Sequence, residues 1–151
     1  MKAVRREISE TLGRALALCR AGDWDGGLYH LGRLAESGEP AMPGLFYSYL
    51  GYGIARCQGK VKEGLKLCQH SIKVEFYESE NYLNLARTCL LDKDRSGAVR
   101  AIRKGLKVDP QNLELLALYR DLGIRQDPVL SFLSRGNFIN QILGRIRAIF
   151  R

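Results

Sequence analysis

The segment Gly59–Leu65 constrains the fold of this chain most strongly, because its layout recurs. It starts with a glycine and a polar residue, continues with a large apolar residue, and ends with a small residue followed by leucine. The same layout is found at Gly22–Leu28, and a weaker copy is found at Lys93–Val99. The small residues of the three copies are spaced by 37 and then 34 positions, at Gly27, Gly64 and Ala98. Self-similarity at about 34 residues is typical of arrays of helix-turn-helix repeats.

Apolar residues at intervals of three and four predict seven helices in the repeated part of the chain. Gly22 and Gly59 follow the first and third of these helices, and Pro110 follows the sixth because proline cannot continue a helix. The predicted ranges are 9–21, 24–37, 45–57, 61–75, 80–91, 95–108 and 113–122. Small residues are predicted where paired helices cross, because larger ones would push the axes beyond the usual ~8–10 Å. These residues are Gly51, Gly64, Ala86 and Ala98.

This pattern resembles the tetratricopeptide repeat (TPR) family, and the C-terminal tail is similar to the ends of short bacterial members of that family. The best copy matches eight family positions with Tyr82, Leu85, Ala86, Cys89, Ala98, Ile102, Gly105 and Pro110. A second copy matches seven with Tyr47, Leu50, Gly51, Ile54, Gly64, Cys68 and Ser71. The first copy matches loosely with Ala15, Leu18, Gly27, Leu31 and Pro40. An unrelated helical bundle that happens to use small residues is the alternative.

The resemblance implies an all-α fold, a right-handed α-α superhelix (TPR solenoid) of three helix-turn-helix repeats. A capping helix and a C-terminal amphipathic helix complete the predicted architecture. The predicted domain covers residues 8–123, with repeats at about 8–41, 44–77 and 79–112 and the capping helix at 113–122. Residues 124–151 are predicted to form a connector and the amphipathic helix.

The resemblance also implies a ligand site, since such arrays bind peptides on the concave face lined by the first helix of each repeat. By register with the family, the peptide-binding residues are Leu12, Leu16, Arg20, Ser48, Tyr52, Arg56, Leu83, Arg87 and Leu91. A subset of the family holds a C-terminal carboxylate with Lys and Asn, but Leu12 and Leu16 occupy those places here. The apolar rows favour an apolar helix or apolar-rich peptide as the ligand. The alternative is that Leu12 and Leu16 only pack between repeats.

The C-terminal segment Asn137–Arg151 has a different character from the repeats. It places Phe138, Ile139, Ile142, Leu143, Ile146, Ile149 and Phe150 on one helical face and Arg145, Arg147 and Arg151 towards the other. A helix of this length is marginal alone in water and needs a surface to cover its apolar face. It could cap the last repeat, bind a groove of its own or a second copy and so form a homodimer, or lie on an anionic membrane.

Motifs of catalysis and cofactor binding are missing from the sequence. It contains no glycine-rich phosphate loop, nucleophile elbow or zinc-binding His-Glu-x-x-His motif. The sequence indicates no carboxylate or thiol partner for either of its two histidines, His30 and His70. Its four cysteines form no Cys-x-x-Cys pair. We therefore expect no enzyme activity, no cofactor and no metal.

The net charge and the N-terminal sequence bear on the expected partners and cellular location. The net charge of +8 suggests nucleic acid or an anionic membrane as a partner. The basic residues of 95–108, however, match the solvated face of one helix. Nucleic acid is therefore not expected. The charged N-terminus lacks the apolar core of a secretory signal, which predicts a cytoplasmic protein. The predicted function is a protein-protein interaction scaffold, with a peripheral membrane adaptor anchored by the C-terminal helix as the alternative.

Overall fold

The computed structural model describes residues 2–123, with side chains from Arg6 onward. This part of the chain contains seven α-helices and no strand. They are α1 (Lys2–Arg20), α2 (Trp24–Glu36), α3 (Gly44–Gln58), α4 (Val61–Val74), α5 (Ser79–Leu91), α6 (Arg95–Val108) and α7 (Leu113–Asp121). The predicted ends of α2 to α7 are confirmed to within one residue.

Helix α1 begins well before the predicted position 9, at Lys2. The sequence prediction missed this extension, although Val4 lies four positions before Ile8 and continues the apolar spacing. An i,i+4 ion pair between Arg6 Nε and Glu10 Oε1, at 2.8 Å, lies on this exposed segment. Charged pairs at this spacing support a helix without burying an apolar face.

The helices are arranged as a stack of antiparallel pairs. Helix α1 packs on α2, α3 on α4, and α5 on α6, while α7 packs on α6. Neighbouring pairs are joined through the contacts of α3 with α2 and α5. Residues Met1–Asp121 form one compact unit, which is an all-α helical-repeat solenoid as predicted.

The turn before α4 combines a left-handed glycine with a close helix crossing. Gly59 ends α3 with φ of 68°, a conformation that is costly for residues with a Cβ. A Cβ added at Gly51 of α3 would lie 2.7 Å from the carbonyl oxygen of Gly64 in α4. A Cβ added at Gly64 would lie 2.8 Å from the Cβ of Ala55. The predicted role of small residues at this crossing is confirmed.

Two second helices begin at aspartate caps in equivalent turns. Asp23 Oδ1 accepts a hydrogen bond from the backbone N–H of Gly26 at 2.9 Å, and Asp94 Oδ1 accepts one from Gly97 at 2.8 Å. These bonds satisfy backbone donors that have no partner within the helix. The hydrogen bonds to Gly97 and Ser96 hold the pKa of Asp94 below its ordinary value.

Burial in α3 differs from the sequence prediction. The apolar stripe was expected to be the buried face, yet Tyr47, Leu50 and Ile54 are only half-buried. Ser48, on the predicted concave face, is buried, and so is Ala55. The reason is that α3 packs against α2, α4 and α5, so neighbouring helices cover more than one of its faces.

The predicted connector and amphipathic C-terminal helix lie outside the described residues. The same holds for the three surfaces proposed for that helix, namely the last repeat, a groove and a membrane. Within residues 2–123, no helix is long and apolar enough to cross a membrane.

Candidate functional site

The nine residues predicted to bind a peptide fall into two groups by exposure. Arg20, Arg56 and Leu91 are exposed, and Arg87 is half-buried. The buried group consists of Leu12, Leu16, Ser48, Tyr52 and Leu83. Peptide binding by the buried group stays a prediction, but most of these side chains offer little surface to a ligand.

Physical reasons for this burial are visible in the packing of the first helices. Leu12 and Leu16 belong to the main hydrophobic core, together with residues of α2 and α3. Ser48 Oγ accepts a hydrogen bond from Asn84 Nδ2 of α5 at 3.3 Å. These side chains therefore join neighbouring repeats to each other, which was the alternative left open for Leu12 and Leu16.

Four of the predicted residues line one cleft of about 260 Å³. Arg20 reaches it from α1, Tyr52 and Arg56 from α3, and Arg87 from α5. The cleft thus receives a side chain from the first helix of every repeat, as a concave binding surface requires. Leu91 is not among its lining residues.

Three aromatic rings form the floor of this cleft. The Trp24 ring stacks on Tyr49, with centroids 6.0 Å apart and an interplanar angle of 17°. Tyr52 meets the same indole edge-on, at 4.9 Å and 89°. All three side chains are at least nine-tenths buried, with exposed fractions of 9%, 3% and 8% for Trp24, Tyr49 and Tyr52. The aromatic floor is consequently a packed platform that leaves few ring atoms open to solvent.

One wall of the cleft is a cluster of Arg20, Tyr49 and Glu80. The guanidinium of Arg20 binds both carboxylate oxygens of Glu80, through Nη2 at 2.8 Å to Oε1 and Nε at 3.1 Å to Oε2. The hydroxyl of Tyr49 donates to Glu80 Oε2 and accepts from Arg20 Nε at 3.2 Å. Burial, reinforced by the bond to Glu80, raises the pKa of Tyr49, so the phenol stays protonated at neutral pH. This cluster joins the first repeat to the third.

The opposite wall is formed by Arg87, which pairs with Glu114 of α7. The guanidinium of Arg87 also lies over the ring of Tyr52, 5.6 Å from its centroid. Glu114 is 61% exposed, whereas Arg87 is 28% exposed. The capping helix therefore contributes an acidic side chain to the edge of the cleft.

Arg56 differs from the other two arginines in its partners. Its Nη1 donates to the hydroxyl of Tyr52 at 3.3 Å, and its guanidinium lies 5.8 Å from the centroid of the Trp24 ring. Among the residues that the structure describes, no carboxylate pairs with Arg56. It is an exposed cation held over an aromatic platform.

Sequence reasoning missed Trp24, Tyr49, Glu80 and Glu114 as parts of the site. Trp24 is buried, yet it still borders the cleft. The two glutamates bind arginines of the cleft from positions 60 and 27 residues away along the chain, and of the two Glu114 lines the cleft itself. No spacing rule within one repeat connects residues so far apart, because Arg20 and Glu80 belong to the first and third repeats and Glu114 belongs to the capping helix.

A larger hollow of about 510 Å³ lies against α1 and α2 and is a weaker candidate. Its lining mixes Arg14 and Arg33 with Glu7, Glu10 and Glu39, so its charges roughly balance. None of its lining residues comes from α3 or from the second and third repeats. We therefore assign the site to the cleft that all three repeats share.

Other kinds of site have little support in the described part of the chain. Within residues 2–123, no group of His, Cys, Asp and Glu side chains is arranged to hold a metal ion. The four cysteines are free thiols, of which Cys57 is exposed and the others are buried. Burial raises the pKa of Cys19 to about 11 and that of Cys68 to about 12, which keeps both protonated and unreactive.

Helix pairs stacked in this order define the chain as a helical-repeat protein with a TPR-like fold. It is similar to the solved Arabidopsis OM64 TPR domain, with a TM-score of 0.62 over 78% of this chain and 94% of that domain. The two are 11% identical in sequence, so the likeness concerns the fold alone. No family model and no curated protein matches the sequence.

Proposed function

We propose that this protein is a non-enzymatic interaction module that binds a peptide segment of a partner protein in the cleft between its first helices. The observation that carries the proposal is the convergence of Arg20, Arg56 and Arg87 from three repeats on one cleft with an aromatic floor. Arginine and tryptophan are over-represented among the residues that dominate binding energy at protein interfaces. A TPR-like fold supports the same class of function, and a cytoplasmic location remains a prediction.

Trp24 makes the proposal directly measurable, because it is the only tryptophan in the chain and it borders the cleft. Short random peptides without tryptophan can be selected on the full chain and then titrated against it. Binding in the cleft should change the intensity or wavelength of Trp24 emission along a saturable curve.

A charge reversal in the cleft provides the matched test. Arg87→Glu should abolish binding of the selected peptides, because it reverses a cleft charge beside Glu114. Arg33→Glu makes the same change on α2, outside the cleft, and should leave binding intact. Peptides that bind both variants equally, without any change in Trp24 emission, would show that the cleft is not the binding site.

A further inference from the structure

Resting on this proposed function, we infer that the cleft selects an acidic side chain of the bound peptide. Arg56 binds the carboxylate of that side chain. Glu114, which pairs with the neighbouring Arg87, acts as an intramolecular competitor because it repels the incoming carboxylate. The inference specifies a ligand chemistry that differs from the apolar peptide expected from sequence.

The balance of charge around the cleft is the first argument. Three guanidinium groups line it, but only one carboxylate, that of Glu114, lies among the lining residues. Arg20 is neutralised by Glu80 and Arg87 by Glu114. Within residues 6–123, the positive charge of Arg56 is left without an acidic partner, and a ligand carboxylate would complete the arrangement.

Preorganisation of Arg56 is the second argument. The contacts with the Tyr52 hydroxyl and the Trp24 ring restrict the guanidinium before any ligand arrives. A guanidinium presents paired N–H donors that match the two oxygens of a carboxylate. Restricting such a side chain in advance lowers the entropy lost on binding.

The exposed chemistry of the cleft is the third argument. Trp24, Tyr49 and Tyr52 are at least nine-tenths buried, and the apolar rows at Leu12, Leu16 and Leu83 are buried as well. A ligand in the cleft therefore meets guanidinium groups before it meets apolar atoms. This favours an anionic anchor over an apolar one.

Two features decide which carboxylate is bound. The pattern that holds C-terminal carboxylates in a subset of TPR proteins needs Lys and Asn where this chain has Leu12 and Leu16. Both leucines are packed in the core, so a small movement cannot bring a polar group to their positions. We assign the carboxylate to an aspartate or glutamate side chain within the peptide, because Leu12 and Leu16 offer no polar group to a C-terminal carboxylate.

Glu114 is placed to weaken this binding. It contacts Arg87, and Arg87 lies over the ring of Tyr52 while Arg56 bonds to the hydroxyl of that same tyrosine. Glu114 thus lies close to the site of the incoming carboxylate and repels it. Since it is 61% exposed, its neutralisation should leave the fold intact.

The test uses a peptide selected from the random library and a twin in which each acidic residue is replaced by its amide. On the full chain, the acidic peptide should bind about tenfold more tightly than its twin, the usual value of one charge-assisted contact. Arg56→Gln should remove that difference, while Arg33→Gln, an equal change of charge outside the cleft, should preserve it. Glu114→Gln should strengthen binding of the acidic peptide about threefold, as expected for loss of one exposed repulsive charge.

The outcomes separate this inference from the proposed function. Selected peptides that lack acidic residues, or that bind Arg56→Gln as tightly as the wild type, would overturn the acidic anchor while leaving cleft binding intact. Weaker binding to Glu114→Gln would overturn the competitor role. Absence of any peptide that perturbs Trp24 emission would overturn both the cleft function and the inference that rests on it.

Discussion

Replacing Gly64 by alanine tests the close crossing of α3 and α4. The added Cβ would lie 2.8 Å from the Cβ of Ala55 and would also clash with the backbone carbonyl oxygen of Gly51. Carbon atoms in contact prefer a separation of ~3.5–4.0 Å, so the helices would have to part by roughly 1 Å. Overpacking of this kind typically costs ~1–3 kcal/mol. The neighbouring atoms belong to backbone and to Cβ, and therefore no side-chain rotation can relieve the clash.

Glycine is itself unfavourable in a helix, so replacing it by alanine also gains stability, and this gain opposes the cost of the clash. Alanine is more favourable than glycine by ~1 kcal/mol in a helix interior, so the clash must exceed this gain for the variant to lose stability. We expect a net destabilisation of up to about 2 kcal/mol for Gly64→Ala, the overpacking cost less the gain in helix propensity. Gly32 of α2 is the matched control, because a Cβ there meets nothing within 4 Å. Gly32→Ala should therefore stabilise the protein.

Urea unfolding followed by far-ultraviolet circular dichroism measures both changes. The free energy of unfolding should fall for Gly64→Ala and rise for Gly32→Ala, with similar denaturant slopes if the fold is retained. The opposite signs separate the effect of packing from that of helix propensity. A Gly64→Ala protein as stable as Gly32→Ala would refute the close crossing.

Three further predictions concern the cluster of Tyr49, a helix cap and the cysteines. Tyr49→Phe removes a hydroxyl bonded to Glu80 and should lower the free energy of unfolding by about 1–2 kcal/mol in urea titrations; an unchanged value would mean that the hydroxyl contributes nothing. Asp94→Ala should lower the urea midpoint at neutral pH, and because the pKa of Asp94 is depressed by folding, this difference should shrink as the pH falls below 3.8; a difference that persists in acid would refute a role for the ionised carboxylate. At mildly alkaline pH, a maleimide should label Cys57 in the native protein and Cys68 only after unfolding, by mass spectrometry; rapid native labelling of Cys68 would contradict its burial.

The repeated turn was readable from sequence because its causes are local. Gly59 is one of few residue types that accept the left-handed conformation ending α3, and Gly64 follows at the distance that brings it to the crossing with Gly51. Apolar periodicity then gave α2 to α7 almost to the residue. The prediction failed at the start of α1, where Val4 continues the apolar spacing among charged residues.

The candidate site was only partly predictable. Family register selected Arg20, Tyr52, Arg56 and Arg87 as peptide-binding residues, and all four line one cleft because equivalent positions on stacked first helices face the same side. It also selected Leu12, Leu16 and Leu83, which are buried. Whether an apolar side chain on a first helix faces solvent depends on how closely the next repeat packs against that helix. The alignment of the sequence with the family pattern does not give the distance between neighbouring repeats.

The sequence by itself determined the repeat period, the helix ends and the small residues at crossings, since these depend on backbone conformation and on contacts within one helix pair. Only the tertiary structure decided which arginine is left without an acidic partner in the described chain. Glu80 neutralises Arg20 across 60 residues and Glu114 neutralises Arg87 across 27. Those pairs exist because stacking brings α1 and α5, and likewise α5 and α7, close enough for their long side chains to meet. The same stacking leaves Arg56 with its charge at the cleft.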